Sequence, residues 1–315
     1  MTQVVVQRVG LSLLMLVAVS VLTFVGTEIL PGDVASAILG QDANPEALEA
    51  IRRELHLYDP AVVRYFRWLG QFFSGEFGNS LVSGRPVAEQ LAARLPNTLF
   101  LAGFTALFAI PLALIIGIFA AIQQDKTFDR IVNVVCLGLG SLPEFFVCYC
   151  LILIVAVKLG WVPSLAAISP YMSFYQKLYV AILPMLALGI STITHPLRMT
   201  RGAIIGVMSQ PFIEMAFLKG MPRWRVVFFH ALPNALAPII TVVTFALAWL
   251  IVGVVVVEVI FVFPGVGQLM VDAVAQRDIP MVQACGLLFA ATYIGLNLLA
   301  DVLAILVSPR LRHKK

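Results

Sequence analysis

Six long apolar runs restrict the fold of this chain more than any other feature of its sequence. They cover residues 9–30, 98–122, 131–159, 178–197, 234–263 and 281–307. Each is near or above the roughly 20 residues that a helix needs to cross a bilayer. The composition agrees, because only 12% of the residues are charged, against about 25% in ordinary soluble domains. The sequence therefore predicts an all-α membrane protein with six transmembrane helices.

The distribution of Lys and Arg predicts how these helices are oriented. The first run is longer than the 7–15 apolar residues of a signal-peptide core, so we expect it to be retained. With the N-terminus inside, the cytoplasmic segments hold most of the Lys and Arg residues and only three acids, Asp125, Asp129 and Glu214. Positive charge favours the cytoplasmic side. We therefore predict that both termini are cytoplasmic.

The first outer loop, residues 31–97, is predicted to contain short helices. Asn44, Pro45 and Glu46 form a cap, a first-position proline and an acidic first turn, which indicate a helix to about residue 55. A second helix is expected over about 60–73, where apolar residues alternate with arginines, as in helices at a membrane surface. A third is expected to begin at Pro86 and lead into the second span.

Residues 209–233 lie between two predicted spans and have their own helix signals. Ser209 is a candidate cap for a helix that starts at Pro211, and Gly220 suits its end. A second short helix is predicted from Pro222 toward Leu232. The first helix is apolar around nearly its whole circumference, yet it is too short to span a bilayer or to be stable alone in water. Either its own bundle or another subunit must cover it.

Ionisable residues within spans mark candidate positions for a translocation pathway, because charges there are costly. The candidates are Glu144, His195, Glu258 and Asp301. We predict no metal site, since the four cysteines fall in apolar runs and the four histidines are scattered. The chain has no nucleotide-binding, protease or hydrolase motif. We therefore expect no catalytic residues. The sequence also has no basic face interleaved with aromatic residues, so we expect no nucleic-acid partner.

Several short motifs together resemble one family of transporters. Glu214-Met215-Ala216, then Gly220 and Leu232-Pro233, resemble the EAA motif of membrane subunits of bacterial binding-protein-dependent ABC importers. The order and spacing of further motifs resemble the first permease of the dipeptide, oligopeptide and nickel group. These motifs are Leu30-Pro31-Gly32-Asp33, Gly78-Asn79-Ser80, Arg94-Leu95-Pro96-Asn97-Thr98, Ser141-Leu142-Pro143, Leu159-Gly160-Trp161-Val162-Pro163, Phe263-Pro264-Gly265-Val266-Gly267, Arg277-Asp278 and Pro309-Arg310.

The resemblance implies a type I ABC importer permease in the bacterial inner membrane. Its expected partners are a second homologous permease in a heterodimer, two ATPase subunits, an extracytoplasmic solute-binding protein and the lipid bilayer. ATP and magnesium are expected on the ATPases, with no cofactor on this chain. The implied divisions are 1–97 for the first span and outer loop, 98–308 for the core with a coupling loop at 199–233, and 309–315 for a basic tail.

The resemblance also implies that the helix from about Pro211 to Gly220 couples the spans to an ATPase. The implied coupling residues are Phe212, Glu214, Met215, Ala216, Phe217, Lys219, Gly220 and Pro233. The peptide group usually has basic residues where Glu214 and Phe217 stand here, so pairing with a matched ATPase is our hypothesis. The expected cargo is a di- or oligopeptide, with nickel complexes, opines or sugars as alternatives. A stand-alone secondary transporter or channel is the alternative from another class.

Overall fold

The computed structural model describes residues 2–29, 44, 46, 49, 53, 58–169 and 171–307. Within these ranges the chain is helical, and its extended pairing is confined to one bridge between Asn79 and Pro86. The motif at residues 30–33, most of the predicted helix at 44–55 and the basic tail lie outside the described residues. At the start of that helix, the Glu46 amide donates a hydrogen bond to Asn44 Oδ1 (3.2 Å), as predicted for a cap.

The helices in chain order are α1 (Thr2–Glu28), α2 (Ala61–Ser74), α3 (Val87–Ile122), α4 (Thr127–Ser141), α5 (Glu144–Leu151), α6 (Phe174–Met208), α7 (Pro211–Leu218), α8 (Arg223–Val226), α9 (Leu232–Ile260), α10 (Val266–Ala275) and α11 (Ile279–Val307). A wider π-helical segment, Ile152–Lys158, continues α5. A second π-helical segment, Val227–Ala231, joins α8 to α9.

The helices confirm the predicted membrane class. In the described part of the chain, five are long and apolar enough to cross a bilayer: Val5–Glu28, Val87–Ile122, Phe174–Met208, Arg223–Ile260 and Ile279–Ile305. The remaining predicted run, 131–159, consists of α4 and α5, which are bent by 99° relative to each other. Leu142 is extended between them (φ −82°, ψ 131°), as expected before a proline. The spans number six if this bent pair counts as one.

Two predicted short helices instead form the ends of longer ones. The helix expected to begin at Pro86 is the first part of α3. The helix expected from Pro222 continues through the π-helical segment into α9. A π turn often accommodates a break in the helical hydrogen-bond pattern. Here the π-helical segment ends at Ala231, two residues before Pro233, which has no N–H to donate. The sequence pattern had indicated a helix end at that proline.

The described residues belong to two compact units. The first comprises Leu99–Phe263 with Met1–Ser12 and Thr292–Lys315, and the second comprises Leu13–Thr98 with Pro264–Ala291. In the first unit, α3 and α6 approach closely at Gly117, where a Cβ atom would lie 2.7 Å from the Leu197 carbonyl oxygen. In the second, α3, α10 and α11 form a core that includes Val87, Val266 and Met281.

Helix α2 confirms the amphipathic helix predicted between the first two spans. Tyr65 and Trp68 pack against Phe24 of α1, and the Tyr65 hydroxyl shares a 2.8 Å hydrogen bond with Ser20. The Arg64 guanidinium donates to the Glu28 carboxylate at 2.7 Å. These contacts fix α2 on α1 within the second unit, and they leave Phe73 exposed on its other face.

Candidate functional site

Helix α7 forms where the sequence predicted it, but it begins with a different cap. Gln210 occupies the N-cap position and Pro211 the first turn. The Ser209 hydroxyl donates to the Gly206 carbonyl oxygen (3.0 Å), so it satisfies the end of α6 instead of the start of α7. The prediction of Ser209 as the cap was therefore wrong, because the preceding helix takes its hydroxyl.

Gly220 ends α7 in the left-handed conformation, with φ +76°. Its amide donates to the Phe217 carbonyl oxygen at 2.8 Å, and the Met221 amide donates to that of Ala216 at 3.3 Å. This pair of bonds is the Schellman motif. A Cβ atom at Gly220 would meet nothing within 4 Å, so the requirement for glycine comes from the backbone conformation.

The two faces of α7 have different environments. Ile213 is fully buried and Ala216 is 6% exposed, and both pack into a core cluster with residues of α3, α6 and α9. The opposite face exposes four large apolar side chains, Phe212, Met215, Phe217 and Leu218. Thus the described part of the chain covers one face of α7 and leaves the other exposed. Leu218, which is 76% exposed, was missed by the sequence-based prediction.

The other predicted coupling residues lie on α7, at its C-terminal end, or in α9. Glu214 and Lys219 are exposed on α7 and at its C-cap, and Pro233 is exposed in the first turn of α9. Ala216 differs from them, because its side chain lies in the core beneath α7. Ala216 therefore helps to hold α7 against the bundle, and its side chain is buried by residues of the same chain.

A buried ion pair between α4 and α6 was not predicted from the sequence. Arg201 of α6 binds Asp129 of α4 through two bonds, Nε to Oδ1 at 2.5 Å and a terminal guanidinium nitrogen to Oδ2 at 2.7 Å. The Asp125 amide donates to Asp129 Oδ2 (3.0 Å), and the Asn133 side-chain amide donates to Oδ1 (3.0 Å). The Asp129 side chain is only 3% exposed. These residues therefore link α4 to α6 within the first unit.

The first unit also contains a cavity of about 280 Å³ at the bend between α4 and α5. Glu144 and His195, two of the four candidate pathway residues, both line it. Phe245 and Trp249 of α9 contribute aromatic rings, and the His195 ring lies 5.7 Å from that of Phe245. Non-helical backbone at membrane depth is tolerated where it lines a cavity. The bend thus brings a carboxylate and an imidazole to the lining of one cavity.

Close approach to α9 limits the position of the Glu144 carboxylate. A Cβ atom at position 253 would lie 2.8 Å from Glu144 Oε1, so glycine leaves the room that this oxygen occupies. Oε1 is buried and has no hydrogen-bond partner among the described residues. A buried acceptor without a partner costs free energy. A ligand that donates to this carboxylate would remove part of that cost.

The remaining two candidate pathway residues lie elsewhere. Glu258 is fully buried in α9 and does not line the cavity. Asp301 of α11 accepts a hydrogen bond from the Arg8 guanidinium of α1 (3.1 Å), which gives it an ion-pair partner. The structure therefore brings together Glu144 and His195, and it separates the other two from them.

In the second unit, motifs that carry the family resemblance contact one another in pairs. The Ser80 hydroxyl donates to the Asp278 carboxylate, and the Leu81 amide donates to the same group (3.1 Å). The Asn97 amide group donates to the Pro264 carbonyl oxygen at 2.8 Å. The Val266 amide donates to Thr98 Oγ1, also at 2.8 Å. These motifs therefore form hydrogen bonds between segments that are far apart in sequence.

Together, the spans, the cavity and the helix between spans define a polytopic membrane protein of the solute-permease class. Among the described residues, no cluster of three or more His, Cys, Asp or Glu side chains could hold a metal ion. The chain belongs to the family of binding-protein-dependent transport system inner membrane components, whose model matches residues 113–313. The model for the N-terminal part of such components matches residues 1–102.

Curated relatives and a solved structure agree with this family. A peptide transport system permease protein of Brucella abortus is 36% identical over 99% of this chain and 100% of its own length. The glutathione transport system permease protein GsiC of Escherichia coli K12 is 36% identical over 94% of each chain. The inward-facing MetNI methionine ABC transporter matches with a TM-score of 0.56 and 16% identity, covering 69% of this chain and 96% of that one. The last match shows the fold alone.

These findings confirm the predicted family, fold and general function. The chain is a transmembrane subunit of an ATP-driven ABC importer in the inner membrane, and it is a permease component without a catalytic role of its own. Membership of this family implies an ATPase and a solute-binding protein as partners. It also favours an ATP-driven importer over a stand-alone secondary transporter or channel.

Proposed function

We propose that this chain forms half of the translocation pathway for di- or oligopeptides, paired with a second, homologous permease. The names of its relatives support this substrate class, since they describe peptide and glutathione transport and glutathione is itself a peptide. Nickel complexes, opines and sugars are the alternatives. The distribution of Lys and Arg supports cytoplasmic termini. The proposed divisions are a first-span and outer-loop segment at 1–97, a core at 98–308 with a coupling loop at 199–233, and a basic tail at 309–315.

The exposed apolar face of α7 carries the proposed coupling role. Phe212, Met215, Phe217 and Leu218 lie on a short helix between two spans, where water would otherwise meet them. Burial of each large side chain by a partner would contribute up to about 1.5–3 kcal/mol. On the cytoplasmic side, the partner of this face would be an ATPase, which binds ATP and magnesium. Ile213 and Ala216 transmit its movement, because they pack into the core of the spans.

Reconstitution tests the substrate directly. We expect proteoliposomes with this chain, the second permease, both ATPases and the binding protein to take up radiolabelled trialanine only when ATP is present. Glutathione should compete for uptake, whereas nickel chelates and sugars should not. Uptake of a nickel complex or a sugar without uptake of either peptide would contradict the peptide assignment.

The double substitution Met215→Asp and Leu218→Asp tests the docking surface. Both side chains are exposed, so the chain should remain folded and in the membrane. Two charges in an apolar contact should weaken ATPase binding by at least about tenfold, the equivalent of about 1.4 kcal/mol. Copurification of the ATPases with the tagged permease measures this effect. Val82→Asp is the control, since Val82 is also exposed but lies in the loop between α2 and α3. Equal ATPase recovery from both variants would exclude the docking role.

A further inference from the structure

The cavity at the bend between α4 and α5 has the chemistry of a cation site. Glu144 supplies a carboxylate, and none of the described residues that line the cavity is Lys or Arg. Glu144 Oε1 has no hydrogen-bond partner among the described residues, although it is buried. The site therefore has a buried hydrogen-bond acceptor to which none of the described residues donates.

Three hydroxyl side chains, those of Ser191, Thr192 and Thr194, also line the cavity, and two of them already donate to the helix backbone. Thr192 Oγ1 donates its proton to the Leu188 carbonyl oxygen (2.7 Å), and Ser191 Oγ donates to that of Ala187 (3.1 Å). With their protons committed to the helix backbone, these oxygens have only lone pairs to offer a ligand. The cavity thus places two hydroxyl acceptors with one carboxylate.

Aromatic rings complete this environment. Phe245 and Trp249 line the cavity, and the face of an aromatic ring attracts a cation within about 6 Å. His195 is the other titratable group that lines it, and its ring lies against Phe245. A cavity of about 280 Å³ is slightly smaller than the roughly 300–1,000 Å³ typical of ligand pockets. It fits the charged end of a solute and is too small for an extended peptide.

We propose that this cavity binds the ammonium group of the transported solute, with Glu144 as its counter-ion. The identification of that group as a peptide amino terminus rests on the proposed function. This set of acceptors fits an ammonium group, because such a group has three N–H donors and no acceptor. Gly253 is a positioning residue, since its lack of a side chain lets the carboxylate lie against α9.

Uptake by the reconstituted importer tests the site through the substitution Glu144→Gln. We expect uptake of trialanine to fall at least tenfold and uptake of N-acetyl-trialanine to stay within twofold of wild type. Glu144→Asp keeps the charge and should retain most of the preference for the free amine. Glu76→Gln is the matched acid-to-amide control, because Glu76 is exposed in the loop after α2. An unchanged ratio of the two uptake rates in Glu144→Gln would overturn the proposal.

Chemical protection tests the site without relying on peptide transport or on the binding protein. A hydrophobic carbodiimide should modify Glu144 in the assembled wild-type importer. Mass spectrometry reads the total modification, which is the carbodiimide adduct plus any amide that a primary amine forms at the activated carboxyl. Saturating n-butylammonium should reduce that total modification at least fivefold, whereas n-butanol should not. Equal protection by both compounds, or by neither, would overturn the ammonium site. If the wild-type importer takes up no peptide but n-butylammonium still protects Glu144, the peptide assignment fails and the site stands.

Gly253→Ala provides a second variant if Glu144→Gln does not assemble. Its Cβ would lie 2.8 Å from Glu144 Oε1, so the carboxylate must move while its charge is kept. We expect at least a threefold loss of protection by n-butylammonium in assembled importer. If n-butylammonium protected Glu144 in this variant as strongly as in the wild-type importer, the positioning role of Gly253 would be contradicted.

Discussion

Replacing Gly220 with proline is expected to abolish solute uptake while the chain still inserts into the membrane. Gly220 has φ +76°, whereas a proline ring fixes φ near −65°. Proline also removes the amide that donates to the Phe217 carbonyl oxygen. A cost of about 3 kcal/mol for this conformation corresponds to about a 100-fold loss of the coupled state. Uptake of trialanine at equal membrane abundance measures the effect.

Alanine substitutions separate backbone conformation from other effects at Gly220. Gly220→Ala adds a Cβ in open space, so its cost is the roughly 1–2 kcal/mol of left-handed geometry, and uptake should fall about 5–30-fold. Gly206→Ala is the matched control, because Gly206 lies within helix α6 and a Cβ there also meets nothing within 4 Å. We expect it to retain wild-type uptake. Near-normal uptake by Gly220→Pro would show that the end of α7 does not transmit coupling.

The substitution Asp129→Ala is expected to cause a large loss of stability. It leaves the Arg201 guanidinium without its carboxylate. It also removes the side-chain acceptor of the Asp125 amide and one of the two acceptors of the Asn133 side chain, which still donates to the backbone carbonyl of residue 129. Breaking a buried pair by removing one partner costs about 3–5 kcal/mol. Thermal unfolding of the detergent-solubilised chain should show a lower midpoint, and membrane abundance should fall.

The exposed pair between Arg8 and Asp301 is the matched control for this experiment. Its side chains are 50% and 39% exposed, so Asp301→Ala should cost less than about 1 kcal/mol. Replacing both buried charges, as in Asp129→Leu with Arg201→Met, should recover part of the stability that Asp129→Ala loses. Equal destabilisation by Asp129→Ala and Asp301→Ala would show that burial does not set the energy of the Asp129–Arg201 pair.

The sequence predicted the local features of the fold well. The apolar runs located the spans, and amphipathic periodicity located α2. Pro211 and Gly220 bounded α7, because helix ends depend on a few neighbouring residues. The bend at Leu142 had a local cause in Pro143, yet continuous hydrophobicity concealed it. The Ser209 cap failed because two helices compete for one hydroxyl.

Contacts between distant segments could not be predicted in the same way. Asp129 and Arg201 were assigned to the charge of the cytoplasmic segments, since counting charges says nothing about which of them pair. Ala216 was assigned to a partner surface because an all-apolar helix does not indicate which face is covered. Glu144 and His195 were proposed separately, and their common cavity depends on how α4, α6 and α9 pack.

The sequence by itself determined the membrane class, the positions of the spans and the family. These follow from hydrophobic length, helix-end chemistry and motif order, which are all properties of short segments. Only the tertiary structure decided which face of α7 remains exposed and that Asp129 binds Arg201. It also decided that Glu144 Oε1, beside Gly253, has no hydrogen-bond partner among the described residues. The physical reason is that burial and pairing are set by the close packing of helices from distant parts of the chain.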